Sequence, residues 1–230
     1  MNAPRIYYHA LLWGDSWKTL VQHHMMKLYT SNLLQSAESM IIGVSAFNDN
    51  DSKWMKDLWS DFTNVSVICH DQSIIAKEER ATLLLMKEWC DCHDGDSPIL
   101  YFHTKGLTRG GYNVDLWRMF MEYYNIDRWK SAVSILSGEW VTYGVNLRSD
   151  TKNLFGNDYH HYSGNFWWTK SSYVKTLSND FLLGSNRWEG EFWIGTGEKP
   201  HLMYNQMESG LDHYDEEFTV KNYIKPIQIL

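Results

Sequence analysis

The alternation of strand-like and helix-like segments over the first 147 residues constrains this chain more than any other feature. Short apolar runs at 6–12, 40–46, 65–69, 99–102 and 140–147 have the length and side chains of buried strands. Between them lie longer amphipathic stretches at 17–37, with Ser16 placed as a cap, and at 51–59, 78–92 and 114–136. Parallel neighbours need long crossovers, and helices supply them, so this β-α-β-α-β-α-β-α-β order predicts an α/β domain. Its sheet should be mostly parallel and covered by helices on both faces. Ligands of such sheets lie beyond the carboxyl ends of the strands. Residues released there are the first place to look for function.

No Pro/Gly-rich linker divides the chain, and 230 residues suit a single domain. Residues 1–147 are expected to form the sheet-bearing part and 216–230 a C-terminal tail. Between them, 148–215 carry aromatic clusters, glycines and paired histidines, and are expected to form a lobe folded over the carboxyl edge of the sheet. The chain holds 12 Trp, 14 Tyr and 9 Phe, an aromatic load whose flat faces suit a core or a sugar ring equally. A formal net charge of −7 without a Lys/Arg block excludes nucleic acid as the expected partner, since that affinity comes from neutralising phosphates. No apolar run approaches the roughly 18 residues of a membrane span. Three cysteines (Cys69, Cys90 and Cys92) and a start without a basic, then apolar, leader point to a cytoplasmic setting. The Cys-x-Cys pair lacks a second pair at zinc spacing.

Four segments could carry chemistry. ILYFHTKG at 99–106 is a short apolar strand that releases His103, Thr104 and Lys105 at its carboxyl end, and Arg109 follows in a Gly-rich turn. The His103/Lys105 pair offers two donors to a diphosphate, and the Arg109 turn could wrap the same anion. Arg118, expected in the first turn of the next helix, opposes the helix dipole there and calls for an acidic partner such as Asp115 or for an anionic ligand. In SGNFWW at 163–168, successive large aromatics must alternate faces along a strand, so one of Trp167 and Trp168 should face a cleft or the lobe is simply aromatic-cored. In the segment 187–195, Glu189 and Glu191 sit among Trp188, Phe192 and Trp193; an apolar setting raises a carboxyl pKa toward that of a general base, whereas pairing with Arg187 would hold it down. Two Asp-x-Asp strings, Asp49/Asp51 and Asp94/Asp96, read as turn residues: the second precedes the 99–102 strand, and the first follows the second strand.

With ILYFHTKG, Trp117-Arg118, SGNFWW, EFWIG at 191–195 and Glu79-x-x-Thr82-Leu83 in this order, the chain resembles glycosyltransferases of the GT-A class, a Rossmann-like fold. The similarity is to the rhamnan synthesis protein F type and to chlorella-virus capsid glycosyltransferase domains, and it spans about residues 5–195. The resemblance implies transfer of a hexose or deoxyhexose, L-rhamnose among them, from a UDP- or dTDP-linked donor to a glycan acceptor. A viral member would work in the host cytoplasm. It implies that Thr82, His103, Thr104, Lys105, Arg109 and Arg118 hold the nucleotide-sugar, that Asn165, Trp167 and Trp168 bind the acceptor, and that Glu191, with Glu189 as its neighbour, is the base. His103-Thr104-Lys105 stands where most GT-A enzymes carry Asp-x-Asp, so no metal ligand is assigned and no cofactor is expected to be required, with Mn²⁺ or Mg²⁺ left as the alternative. Two other classes compete: a non-catalytic carbohydrate-binding module, and another nucleotide-dependent transferase on the same sheet.

Overall fold

The computed structural model describes residues 2–71, 79–149, 158–186 and 188–224. Its strands are β1 (Arg5–Leu11), β2 (Ser39–Ser45), β3 (Val65–Cys69), β4 (Pro98–His103), β5 (Thr142–Gly144), β6 (Leu147–Arg148), β7 (His161–Tyr162), β8 (Trp167–Lys170) and β9 (Met203–Asn205). Seven of them form one sheet in the order β3-β2-β1-β4-β8-β5-β9, while β6 and β7 pair separately. β1, β2, β3 and β4 are mutually parallel. β8 is antiparallel to both β4 and β5, and β9 is parallel to β5, so among the described strands of this sheet six run one way and β8 runs against them. The fold is a mixed α/β structure on a mostly parallel sheet.

The side-chain period of two splits the strands between two cores. Ile6, Tyr8 and Ala10 of β1, Leu100 and Phe102 of β4, and Trp168 of β8 enter one. Tyr7, Ile99, Tyr101 and Trp167 enter the other. Both faces are covered, which is why these strands read as continuous apolar runs rather than alternating ones.

The helices that cover the sheet include α1 (Trp17–Thr30), α2 (Leu33–Ser36), α3 (Asp49–Trp59), α4 (Arg80–Cys92), α5 (Tyr112–Glu122) and α6 (Trp129–Leu136). Two expected helices are each broken in two. The 17–37 stretch stops at Asn32, which adopts φ 61°, a left-handed conformation that Asn tolerates. Ser16 occupies the cap position without making a side-chain cap bond. The 114–136 stretch contains a π turn at Tyr123–Asp127. There the Asn125 backbone carbonyl accepts the Trp168 indole N–H at 2.8 Å, and the Asn125 side-chain amide donates to the Met121 carbonyl at 2.9 Å. α4 is described from Arg80, and Glu78 lies outside the described residues.

The segment after residue 147 is not only a lobe over the carboxyl edge of the sheet but also part of the sheet itself. It supplies β8 to the middle of the sheet and β9 to its edge. The three cysteines are free, and burial pushes the Cys90 thiol up to about 12. Among the described residues, no helix is long and apolar enough to cross a membrane.

Candidate functional site

A cleft of about 490 Å³ opens at the carboxyl ends of β1 and β4. Its lining includes His9 and Leu11 from β1, His103, Thr104, Lys105 and Arg109 from β4 and the loop after it, Glu79 just before α4, Trp188 and Glu191 from the later aromatic segment, and Tyr214. Five residues expected from the sequence (His103, Thr104, Lys105, Arg109 and Glu191) therefore share one cavity.

The loop after β4 is fixed by its own backbone. The Thr104 N–H bonds to the His9 carbonyl at 3.0 Å, extending the ladder past the strand end. The Thr104 hydroxyl accepts the Leu11 N–H at 2.9 Å and donates to the Leu11 carbonyl at 3.3 Å. The proton of that hydroxyl is committed to stitching β1 to β4, so Thr104, expected to help hold a nucleotide-sugar, lines the cleft without a free hydroxyl proton to donate there. Lys105 and Arg109 then rise along aromatic faces. The Lys105 Nζ lies 4.2 Å from the Trp117 ring centre, and the Arg109 guanidinium carbon lies 3.8 Å from that of Tyr214. Among the described residues, neither cation is in an ion pair.

His103 differs from its expected role as a donor. Its Nε2 lies 3.1 Å from the Gly164 carbonyl oxygen, which can only accept, so the ring proton sits on Nε2 and is already used. Burial first, and the Lys105 charge second, push the His103 pKa down to about 3, so the ring is neutral at physiological pH. Its Nδ1 therefore offers a lone pair, 3.9 Å from Oε2 of Glu79. The Gly164 turn requires its glycine: φ is 92°, and a Cβ there would collide with the Met121 sulfur.

Glu79 holds the adjoining wall. Its Oε2 accepts the Tyr101 hydroxyl at 3.0 Å. A Cβ on Gly190 would sit 3.1 Å from the Glu79 side chain, so the helical turn Glu189–Phe192 packs directly against it. That turn separates the two carboxylates expected to act alike. Residues two apart on a helix point about 200° apart, unlike residues two apart on an extended segment. Glu191 faces the cleft, and no side-chain bond or ion pair engages its carboxylate among the described residues. Glu189 turns away to Arg80, with Nη1 to Oε2 at 3.0 Å, and also accepts the Asn186 N–H at 3.0 Å. Glu189 is a structural ion-pair partner rather than a second base. Arg187, the other partner considered for these carboxylates, lies outside the described residues.

Four further expectations are corrected. Trp167 and Trp168 are fully buried, because alternation sends one ring into each covered core and neither to a cleft. Asn165 is buried beside them, its Oδ1 accepting the Trp167 indole N–H at 2.6 Å. Thr82 is fully buried beneath the cleft, with its hydroxyl 2.9 Å from Nδ1 of His9 and 3.2 Å from Nε2 of His70. Arg118 falls in the second turn of α5, which begins at Tyr112, so the dipole argument does not reach it. Its guanidinium pairs with Asp115 at 2.9 Å and Glu122 at 3.4 Å, and donates to the Lys105 carbonyl at 3.1 Å. Burial pulls the Glu122 pKa upward, but hydrogen bonds from His23 and His24 outweigh it and hold the carboxyl well below its ordinary value.

The two Asp-x-Asp strings do not form a metal clamp. Asp49 and Asp51 open α3, where the Asp51 N–H is capped by Asn48 at 2.9 Å. Asp96 accepts the N–H and hydroxyl of Ser172 near the start of β4, at the opposite edge of the sheet. Among the described residues, no three His, Cys, Asp or Glu side chains gather as a metal set.

Several lining residues carried no role in the sequence reading. His9 was detectable by the rule that found His103, since the two are register partners toward the carboxyl ends of β1 and β4. Trp188, 40% exposed, lay inside a segment already singled out. Tyr214 had no local signal. It is brought to the cleft because its neighbour His213 stacks on Trp117, with ring centres 5.1 Å apart, and has its Nε2 within 2.9 Å of the Asn146 amide nitrogen and 2.8 Å of the Ser209 hydroxyl.

Residues 18–182 match the model of a domain of unknown function, DUF8361. No curated protein matches the chain. Among solved structures, a crystal structure of 4-diphosphocytidyl-2C-methyl-D-erythritol synthase aligns with 95% of this chain and 94% of that one, at 12% identity and a TM-score of 0.42. That likeness is too distant to bear on function.

Proposed function

We propose that this chain, which belongs to the DUF8361 family, is a nucleotide-sugar-dependent glycosyltransferase that uses a UDP- or dTDP-linked hexose, L-rhamnose among the candidates, and a glycan acceptor. The observation that carries the reading is the pairing, in one cleft at the strand ends, of two cations outside any described ion pair with an unengaged carboxylate. In this reading an acceptor hydroxyl attacks the anomeric carbon, its proton passes to Glu191, and the bond from that carbon to the diphosphate oxygen breaks. The departing diphosphate carries the electron pair and is stabilised by Lys105 and Arg109. Trp188, exposed at the same cleft, replaces Trp167 and Trp168 as the surface on which an acceptor ring would stack.

The described acidic residues do not fit the metal clamp of related folds, and the two fixed cations can oppose the leaving charge themselves. Turnover in excess EDTA is the expected result; activity that vanishes and returns with Mn²⁺ would refute this part.

The test of the whole is binding followed by transfer. UDP or dTDP should raise the melting temperature, a ligand at 100 times its Kd adding about 2.7 kcal/mol. Lys105→Ala should weaken that binding by about 1.5–3 kcal/mol, the scale of a charge-assisted hydrogen bond. Stabilisation by free sugars alone would favour a carbohydrate-binding module. The same cations would also suit a nucleoside triphosphate, and that alternative transferase releases pyrophosphate rather than a nucleoside diphosphate.

A further inference from the structure

The floor of the cleft carries a line of three side chains that the transfer chemistry above does not use. His9, at the carboxyl end of β1, lines the cleft and is only 3% exposed. Its Nδ1 lies 2.9 Å from the Thr82 hydroxyl, and that hydroxyl lies 3.2 Å from Nε2 of His70, which follows β3 and is partly exposed. Gly43 of β2, the register partner of His9, leaves room for this line: a Cβ there would collide with the Thr82 hydroxyl and with His70 Nε2. Among the described residues His9 Nε2 has no bonding partner, and it is not sealed from solvent, so it opens to the cleft.

Proton counting restricts the line to two states. Burial first, then His103 and His70, hold the His9 pKa well below its ordinary value, and burial lowers that of His70, so each ring carries a single proton. The Thr82 hydroxyl has one proton and meets no other acceptor among the described residues. All three groups are satisfied only if one ring donates to that oxygen and the other accepts its proton. When His9 donates from Nδ1, its Nε2 shows the cleft a lone pair. When His70 donates from Nε2, His9 accepts at Nδ1 and shows the cleft an Nε2–H. Passing from the first state to the second moves the His9 Nδ1 proton to Thr82 and the hydroxyl proton to His70 Nε2. Water supplies the proton at His9 Nε2 and takes the one at His70 Nδ1, so each ring ends with one proton.

We propose that His9 donates its Nε2–H to the diphosphate of a bound nucleotide, and that Thr82 relays this choice to His70, which takes the Nε2–H form as well. The inference rests on the nucleotide reading and adds a neutral donor at the floor of the cleft to its two cations. Lys105 and Arg109 draw an anion into the same cleft, and ionised phosphate oxygens only accept, so the ligand selects the second state. In that state the three hydrogen bonds run in one direction from His70 to the ligand, and each polarises the next. Thr82 and His70 are positioning residues, and His70 does not line the cleft.

The test labels the histidine rings with nitrogen-15 and reads by NMR which ring nitrogen is protonated, without ligand and with UDP or dTDP in EDTA. The two rings are assigned by their absence from His9→Ala and His70→Gln. In the nucleotide complex both rings should carry the proton on Nε2. In Thr82→Val, which keeps the volume and removes the hydroxyl, His9 should still show Nε2–H in the complex, while the His70 proton position no longer depends on nucleotide. Kd by calorimetry should rise about tenfold or more in His9→Ala, the loss of one hydrogen bond to a charged group. A complex with the proton on Nδ1 of either ring overturns the relay and leaves the nucleotide reading intact, as does an unchanged Kd in His9→Ala. A His70 response to nucleotide that persists in Thr82→Val also overturns it. Failure of both nucleotides to bind the wild type overturns the nucleotide reading itself, and this inference with it. If either His9→Ala or Thr82→Val does not fold, the wild-type His70 ring decides: Nε2–H in the complex supports the relay, and Nδ1–H overturns it.

Discussion

Two aromatic segments of similar composition have opposite fates. Phe166-Trp167-Trp168 enters and forms β8 and is wholly buried, while Trp188 and Glu191, only about twenty residues later, come from a short helical turn at the rim of the cleft. What separates them is backbone geometry rather than side-chain chemistry. An extended strand in the middle of a covered sheet buries both of its faces, whereas a single helical turn on the surface buries one side and leaves the other to solvent. Aromatic content therefore marks a binding surface only where the local structure leaves a face uncovered.

The contrast should be widest in stability. Trp168→Ala removes a filled core position, at a cost of about 3–5 kcal/mol, and leaves the Asn125 backbone carbonyl without its partner, a further penalty of about 1–3 kcal/mol. Chemical denaturation should show that loss or a failure to fold, while Trp188→Ala should stay within about 0.5 kcal/mol of wild type. Equal effects at the two sites would erase the distinction between core and rim. The next largest effect is expected in catalysis: Glu191→Gln should lower kcat by about 10²–10⁴-fold with nucleotide affinity nearly unchanged. Glu189→Gln should instead act on stability, by about 1–3 kcal/mol, because it weakens the partly buried pair with Arg80. The reverse pattern would exchange their roles. Within the rim, Trp188→Ala should raise the acceptor KM by about 0.5–1.5 kcal/mol, the size of one stacking contact, and leave donor KM unchanged.

The sheet was legible in the sequence because its strands are apolar on both faces and its crossovers are long. The position of β8 was not, because strand order depends on pairing between segments far apart in the chain, and nothing local distinguishes a strand inserted between β4 and β5 from one added at an edge. The cation loop was legible for a simple reason: His103, Thr104 and Lys105 leave a strand at the end where ligands bind. Their individual duties were not, since whether a hydroxyl or ring nitrogen faces a ligand depends on which carbonyl it meets, Leu11 for Thr104 and Gly164 for His103. Glu189 and Glu191 were misjudged as equivalent because the period at that point was unknown, and one helical turn reverses the expectation that an extended segment gives.

Acid should reveal the same division between interior and rim. Burial holds the His103 pKa down to about 3 and that of His213 to about 4, with the Lys105 and Arg148 charges as the second causes. The unfolded chain takes up a proton at each ring as the pH falls through about 6.5, while the folded chain does not. The unfolded state therefore binds more protons, and stability declines from about pH 6.5 downward until the folded values are reached. Between about pH 7.5 and 6 each such ring should remove about 0.8 kcal/mol. His213→Gln, which keeps a polar group able to meet Asn146 or Ser209, should flatten that decline by one ring's share, read from urea midpoints at the two pH values. A rim residue such as Trp188 should leave the slope unaltered. If His213→Gln does not change the slope, His213 is as readily protonated in the folded chain as in the unfolded one, and its stacking on Trp117 does not depend on a neutral ring.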